Sequence, residues 1–270
     1  MMGINRNHPE TPTLGIPMPV TRTFSPPPPV EYGPFDGLLL VDKPAGPTSH
    51  DVVHKIRRTF RIEKVGHGGT LDPAATGLLV ILLGRATRLS DLVMGGEKAY
   101  AGILRLGTVT NSQDMDGQII EEKPFDTVTR EQAETALEAL RGDIYQIPPM
   151  VSAIKLHGVP LYKLARKGQE VVREPRLVHI FRFAITAWAP PLVTFEVRCT
   201  KGTYVRTLAH DLGQTLGCGA CLQSLRRTAS GSFDVAAAAP FDALLAGSKD
   251  DLAARIIPYA HFSQSVTPPR

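Results

Sequence analysis

The chain has 270 residues, 43% of them hydrophobic and 21% charged, and carries a formal net charge of +4. That composition belongs to a globular protein long enough to bury a substantial core, in one large domain or two modest ones. No apolar run approaches the length that spans a bilayer and the start has no hydrophobic signal core, so no membrane partner and a cytoplasmic address are expected. The positive balance leans toward a polyanionic partner. Cys199, Cys218 and Cys221 are too few for a disulfide framework, and Cys218-Gly219-Ala220-Cys221 lacks a second ligand pair for zinc, so buried thiols are expected.

Residues 1–35, centred on Pro26-Pro27-Pro28-Pro29, read as a flexible proline-rich leader. Gly37-Leu38-Leu39-Leu40-Val41-Asp42 then reads as a strand that stops at Lys43-Pro44-Ala45-Gly46-Pro47. Thr48 or Ser49 offers an N-cap, and Val52, Val53, Ile56 and Phe60 recur at helical spacing. Lys55, Arg57, Arg58, Arg61 and Lys64 gather on and just past this helix, as either a solvated face or a phosphate-binding one.

The next stretch, Gly66 to Gly77, is glycine-rich, contains Pro73, and carries one imidazole, His67, and one carboxylate, Asp72. Glycine and proline in this density specify a shaped loop. It runs straight into Leu78-Leu79-Val80-Ile81-Leu82-Leu83, which suits a strand buried on both faces. Asp72 is therefore either a turn residue or a reactive group on a loop braced by the core.

Gly84 to Leu89 opens a short helix, and Lys98 to Gly107 reads as a strand in which Tyr100, Leu104 and Leu106 share one parity. Thr108 to Gly117 is polar and reads as a mobile loop, whose Asp114 and Asp116 match no cation-binding spacing. Thr129 with Gln132 forms a capping box for a helix ending at Gly142. Ile147 to Lys155 is a proline-set extended segment leading to a short helix over 161–166. Lys155, His157, Lys163, Arg166, Lys167, Arg173 and Arg176 make this region a basic surface arm.

Val193 to Thr200 alternates cleanly, with Val193, Phe195, Val197 and Cys199 inward. After the turn Lys201-Gly202-Thr203-Tyr204, a helix is marked by Val205, Leu208, Ala209, Leu212 and Leu216 and closed by Gly217. Arg206 falls in its first turn, where the helix dipole opposes a cation, so an anionic partner is expected. Beyond residue 240 a single short helix, Asp242 to Leu245, precedes a tail.

Taken together and in order, these motifs resemble the TruB family of tRNA pseudouridine synthases over about residues 37–235. The resemblance is carried by Gly37 to Ser49, by the Gly66 to Gly77 loop, and by Lys98-Ala99-Tyr100 with Leu106-Gly107. Pro148 to Lys155 and Lys201 to Arg206 with Leu225-Arg226-Arg227 complete it. The resemblance implies an α+β pseudouridine synthase fold: a mixed, mainly antiparallel sheet bisected by a basic catalytic cleft, with flanking helices and a thumb-like insertion at about 108–176. The catalytic domain would span 36–240, and 241–270 would be a short tail, too short for the RNA-binding PUA domain of many relatives.

The implied reaction converts uridine 55 in the TΨC arm of tRNA to pseudouridine, by base flipping and an aspartate-dependent exchange of the glycosidic bond from N1 to C5. Asp72 matches the catalytic aspartate, Arg206 the arginine that pairs with it, and Tyr100 the tyrosine that stacks on the target base. His67 matches the histidine that enters the space left by the flipped nucleotide. Tyr204 and Leu225 match positions lining the uracil pocket, and Lys43 matches a lysine bracing it. The tRNA stem-loop is the implied partner, with no obligatory protein partner, no metal and no organic cofactor. Asn111 departs from the family pattern, standing where some relatives have an acidic residue.

Overall fold

A computed structural model describes residues 32–152, 154–156, 158–165 and 167–263. The expected leader up to residue 31, and Ala153, His157 and Arg166 of the expected arm, lie outside the described residues. Strands β1 (Gly37–Lys43), β2 (Val65–His67) and β3 (Thr76–Leu83) enclose helix α1 (Ser49–Phe60), and α2 (Ser90–Gly95) leads to β4 (Lys98–Leu106). A hairpin, β5 (Thr108–Thr110) and β6 (Ile119–Glu122), precedes α3 (Arg130–Glu138) and β7 (Gly142–Gln146). The pair β8 (Lys155–Leu156) and β9 (Val159–Pro160) and helix α4 (Leu161–Ala165) follow. The chain continues through β10 (Arg176–Ala189), β11 (Leu192–Cys199), α5 (Val205–Thr215) and β12 (Ala220–Ser230). It closes with β13 (Phe233–Asp234), β14 (Ala239–Pro240), α6 (Phe241–Ala246), α7 (Lys249–Ala253), β15 (Ile257–Pro258) and α8 (Ala260–Ser263).

The main sheet runs β14-β1-β3-β12-β4-β11-β10-β7, with β2 beside β3, β13 beside β12 and β15 beside β1. Most neighbours are antiparallel, but β3 and β12 are parallel and share only two register positions, Arg226 opposite Thr76 and Arg227 opposite Gly77. This short contact is a seam between two half-sheets. In the first half β3 is buried on both faces, as its unbroken apolar run requires: Leu79, Ile81 and Leu83 enter one core with α1, while Leu78, Val80 and Leu82 enter another. In the second half the inward residues of β10 and β11 pack under Ala133, Ala136 and Leu137 of α3 and Leu208, Ala209 and Leu212 of α5. Tyr100 and Leu225 are only partly buried and touch the cores of both halves, so they lie across the seam.

Two expectations need correction. Residues 241–263 are no tail: β15 pairs with β1, next to the β1–β14 pairing that precedes them, and Phe241, Leu244 and Leu252 are buried in the core that contains α1. Elements this short carry too few apolar repeats to announce themselves, yet they cover the edge of β1 and its core. The polar stretch 108–117 is likewise folded. Thr108, Val109 and Thr110 are buried in the β5–β6 hairpin, and the loop is pinned to β12 by Leu222 N–H donating to Gln113 O (2.9 Å) and Met115 N–H donating to Leu222 O (3.1 Å). The Thr110, Asn111 and Ser112 side chains and Asp114 bond within the loop, so its polar composition serves local structure. Among the described residues no helix is long and apolar enough to cross a membrane.

If the segment after 240 is integral, Leu252→Ala, which empties a side chain only 1% exposed, is expected to cost about 2–5 kcal/mol of stability. An unfolding midpoint equal to that of the parent chain would show that the segment does not hold the core together.

Candidate active site

The loop from Gly68 to Ala75 joins β2 to β3 at the seam, and the carbonyls of residues 69–73 and 75 all accept hydrogen bonds. Gly68 N–H donates to Val80 O (2.8 Å) and Ala75 N–H to Asp72 O (3.1 Å). Thr48 caps α1 with a full capping box, which frees Ser49 to accept from Leu71 N–H (2.8 Å) and donate to Leu71 O (3.0 Å). Lys43 is fully buried and its ammonium donates to Pro44 O (2.8 Å), Pro73 O (3.0 Å) and Ala75 O (2.7 Å). Gly46 N–H adds a second donor to Pro73 O (2.9 Å). With Leu71 and Ala75 sunk in the core, the loop lifts Asp72 to a carboxylate that stays 44% exposed.

That carboxylate meets Arg206, whose own side chain is 4% exposed, with Nε 3.1 Å from Asp72 Oδ2. The contact is an ion pair more than a directed hydrogen bond, since the Nε hydrogen finds no aligned acceptor. Nη1 lies 3.3 Å from Asp114 Oδ2 and donates to Ser112 O (3.2 Å), while Nη2 donates to Val151 O (2.8 Å). The cation placed against the dipole of α5 thus has the anionic partner its position demanded, and a second one from the β5–β6 hairpin. Burial pushes the Asp72 pKa up, Arg206 pulls it back, and the like charges of Asp114 and Asp116 push up again.

Tyr100 lies directly opposite Arg227, and Leu225 directly opposite Gly102, in the antiparallel β4–β12 pairing. Residues directly opposite share a face, and so do residues two apart on a strand, so Tyr100, Leu225 and Arg227 floor one side of the seam. A Cβ at Gly102 would stand 2.5 Å from Phe195 Cζ, so the glycine makes room for that ring beside Leu225. Burial raises the Tyr100 pKa and the Arg227 charge opposes it. Tyr204 is the N-cap residue of α5, its ring 5.9 Å from Arg206 Cζ. Its backbone is fixed at both groups by the Gln146 amide, which accepts from Tyr204 N–H (2.7 Å) and donates to Tyr204 O (3.0 Å). His67 is half-buried on β2. Burial, then the charges of Arg227 and His50, lower its pKa, and its Nδ1 has no hydrogen-bond partner.

All seven residues singled out from the sequence therefore gather around the seam. Lys43 holds the loop from beneath, and burial lowers its pKa to about 8 against the pull of Asp72. Sequence reasoning missed Asp114, Ser49, Gln146 and Arg227, each of which acts through a contact far away in the chain. Arg206's need for an anion was the one available signal for Asp114. No group of three or more His, Cys, Asp or Glu side chains that could hold a metal ion occurs among the described residues.

The charges make a directional prediction for the Asp72 carboxyl titration followed by carbon NMR. Arg206→Gln removes the cation that lowers its pKa, so the titration should move to higher pH. Asp114→Asn removes a like charge and should move it lower. Shifts of the opposite sign, or none, would mean the pair does not govern ionisation at Asp72.

Comparison with known proteins agrees with this architecture. A family model described as TruB family pseudouridylate synthase, N-terminal domain, matches residues 57–205, and one described as tRNA pseudouridylate synthase B C-terminal domain matches residues 206–259. A protein of Opitutus terrae named tRNA pseudouridine synthase B is 50% identical over 232 residues, covering 86% of this chain and 96% of its own length. One of the same name from Endomicrobium trichonymphae is 44% identical over 227 residues, covering 84% of this chain and 98% of its own. Among solved structures, a chain of a Cbf5–Nop10–Gar1 complex is 29% identical with a TM-score of 0.65, the match covering 83% of this chain and 60% of that one. With adjoining family models matching residues 57–205 and 206–259, and near-full-length relatives at this identity, the chain belongs to the TruB family of pseudouridylate synthases.

Proposed function

We infer that this chain isomerises uridine 55 in the TΨC arm of tRNA to pseudouridine, working as a stand-alone enzyme in the cytoplasm. The observation that carries the reading is the half-exposed Asp72 carboxylate, ion-paired to a buried Arg206 beside the floor formed by Tyr100 and Leu225. The reaction balances without oxidant, reductant or metal. The C1′–N1 bond breaks, uracil turns, C1′–C5 forms, the C5 hydrogen leaves as a proton and N1 gains one. A carboxylate suits this chemistry either as nucleophile or as the base that accepts a sugar proton.

The uridine must leave its stack to reach Asp72, and Tyr100 offers the aromatic surface that replaces a neighbouring base. In this reading Tyr204 and Leu225 complete the slot, Lys43 braces the loop, and His67, whose pKa burial lowers, would fill the space the nucleotide vacates. Lys55, Arg57, Arg58, Arg61 and Lys64 are exposed, and none of them is in an ion pair among the described residues, which suits contact with backbone phosphates. Arg173 of the expected arm is instead tied internally, to Pro148 O (3.3 Å) and Glu170 (3.1 Å).

The Cbf5 likeness raises a second reading, in which the same chemistry is targeted by protein partners. Relatives of nearly the same length at 50% and 44% identity, each named tRNA pseudouridine synthase B, favour the stand-alone reading. The purified chain incubated with bare tRNA, followed by pseudouridine mapping, should modify position 55 alone. Modification only after adding other proteins would support the second reading. Asp72→Asn should bind tRNA normally yet lose about 10²–10⁴-fold or more in rate. Full modification by this variant would leave RNA binding as the function.

A further inference from the structure

Arg227 is 1% exposed, yet it has no carboxylate within ion-pair distance among the described residues. Its guanidinium instead spans three carbonyl oxygens: Nε donates to Leu78 O (2.7 Å), Nη1 to Thr70 O (3.2 Å) and Nη2 to Gly69 O (3.2 Å). A buried cation without a counter-ion is expensive, and a well-packed apolar side chain would serve stability better. What an apolar side chain could not do is hold the loop that carries Asp72 and strand β3 at once from β12. Only a planar fork of fixed N–H donors reaches all three acceptors.

The place of Arg227 in the sheet makes that grip consequential. It stands at one of the two adjacent register positions where β12 touches both neighbours, opposite Gly77 on β3 and opposite Tyr100 on β4; Arg226, at the other, points to the opposite face. Gly77 has φ +97°, and a Cβ there would stand 2.3 Å from Arg227 O, so the two backbones meet without a side chain between them. Arg227 thus ties the reactive loop to the strand that carries Leu225 and faces Tyr100.

We propose, resting on the function inferred above, that Arg227 is a positioning residue of the reaction: it sets the height of Asp72 over the Tyr100–Leu225 floor and so the fit of uracil between them. Its task differs from that of Lys43, which supports the far side of the loop at Pro73 and Ala75. A displacement of about 1 Å at a reacting group can cost about 10²-fold in rate.

The test compares Arg227→Lys and Arg227→Gln with Arg226→Met, whose parent side chain pairs with Asp42 (2.9 and 2.7 Å) on the other face of the same strand. Single-turnover rate, tRNA Kd and amide exchange over residues 69–75 are measured for each. Both Arg227 variants should fold, bind tRNA within about threefold of the parent, lose about 10²-fold in rate, and exchange the loop amides faster. Arg226→Met should stay near the parent rate, and free guanidinium should restore part of the activity of Arg227→Ala. The proposal is overturned by a rate loss under about threefold, by a rate loss matched by weaker binding, by an equal loss in Arg226→Met, or by failure of both Arg227 variants to fold. If the parent chain makes no pseudouridine, the functional reading fails instead, and amide exchange alone still decides whether Arg227 sets the loop.

Discussion

The organising constraint is the burial of Arg206. A guanidinium in the first turn of a helix works against the dipole, and one that is nearly solvent-free must also be compensated within the protein. Two carboxylates and two carbonyls provide that compensation, drawn from three places: Asp72 from the loop before β3, Asp114 and Ser112 from the β5–β6 hairpin, Val151 from the proline-set segment. One cation thereby collects the loop, the hairpin and the start of α5 into a single site. Buried ion pairs add little net stability, so the arrangement is better understood through what it does to Asp72: a carboxyl that burial would drive toward protonation is drawn back toward its ionised form.

Around that pair the sheet supplies a rigid frame with one weak join. The short parallel contact between β3 and β12 leaves room for a loop to lie over the sheet, and Tyr100 and Leu225 belong to the packing of both halves. The loop itself is fastened through its backbone, by Ser49, Lys43 and Arg227, so its shape does not depend on the one side chain left free to react. That division between held backbone and exposed carboxylate is what a pre-organised site requires.

Much of this was legible in the amino-acid pattern where the cause is local. The unbroken apolar run of β3, the alternation of β11, the spacing in α1 and the capping box at Thr129 each correspond to the expected element. Arg206 was legible for a sharper reason, since an unfavourable place in a helix implied a counter-charge. What stayed hidden depends on register between distant strands. Nothing near Arg227 in the chain discloses that Tyr100 and Gly77 flank it, and nothing near Asp114 discloses that its polar loop folds against Arg206. The two-residue strands after 238 escaped notice because edge pairing needs no apolar period of its own.

The central claim is that the base changes its point of attachment in this slot, from nitrogen to carbon. That exchange must expel the hydrogen on C5, so the most direct measurement is release of tritium from tRNA labelled at C5 of its uridines, incubated with the purified chain alone. The account predicts a single tritium released per tRNA, and none from a tRNA with cytidine in place of uridine 55. Release that continues without that uridine, or no release from the intact tRNA, would contradict it.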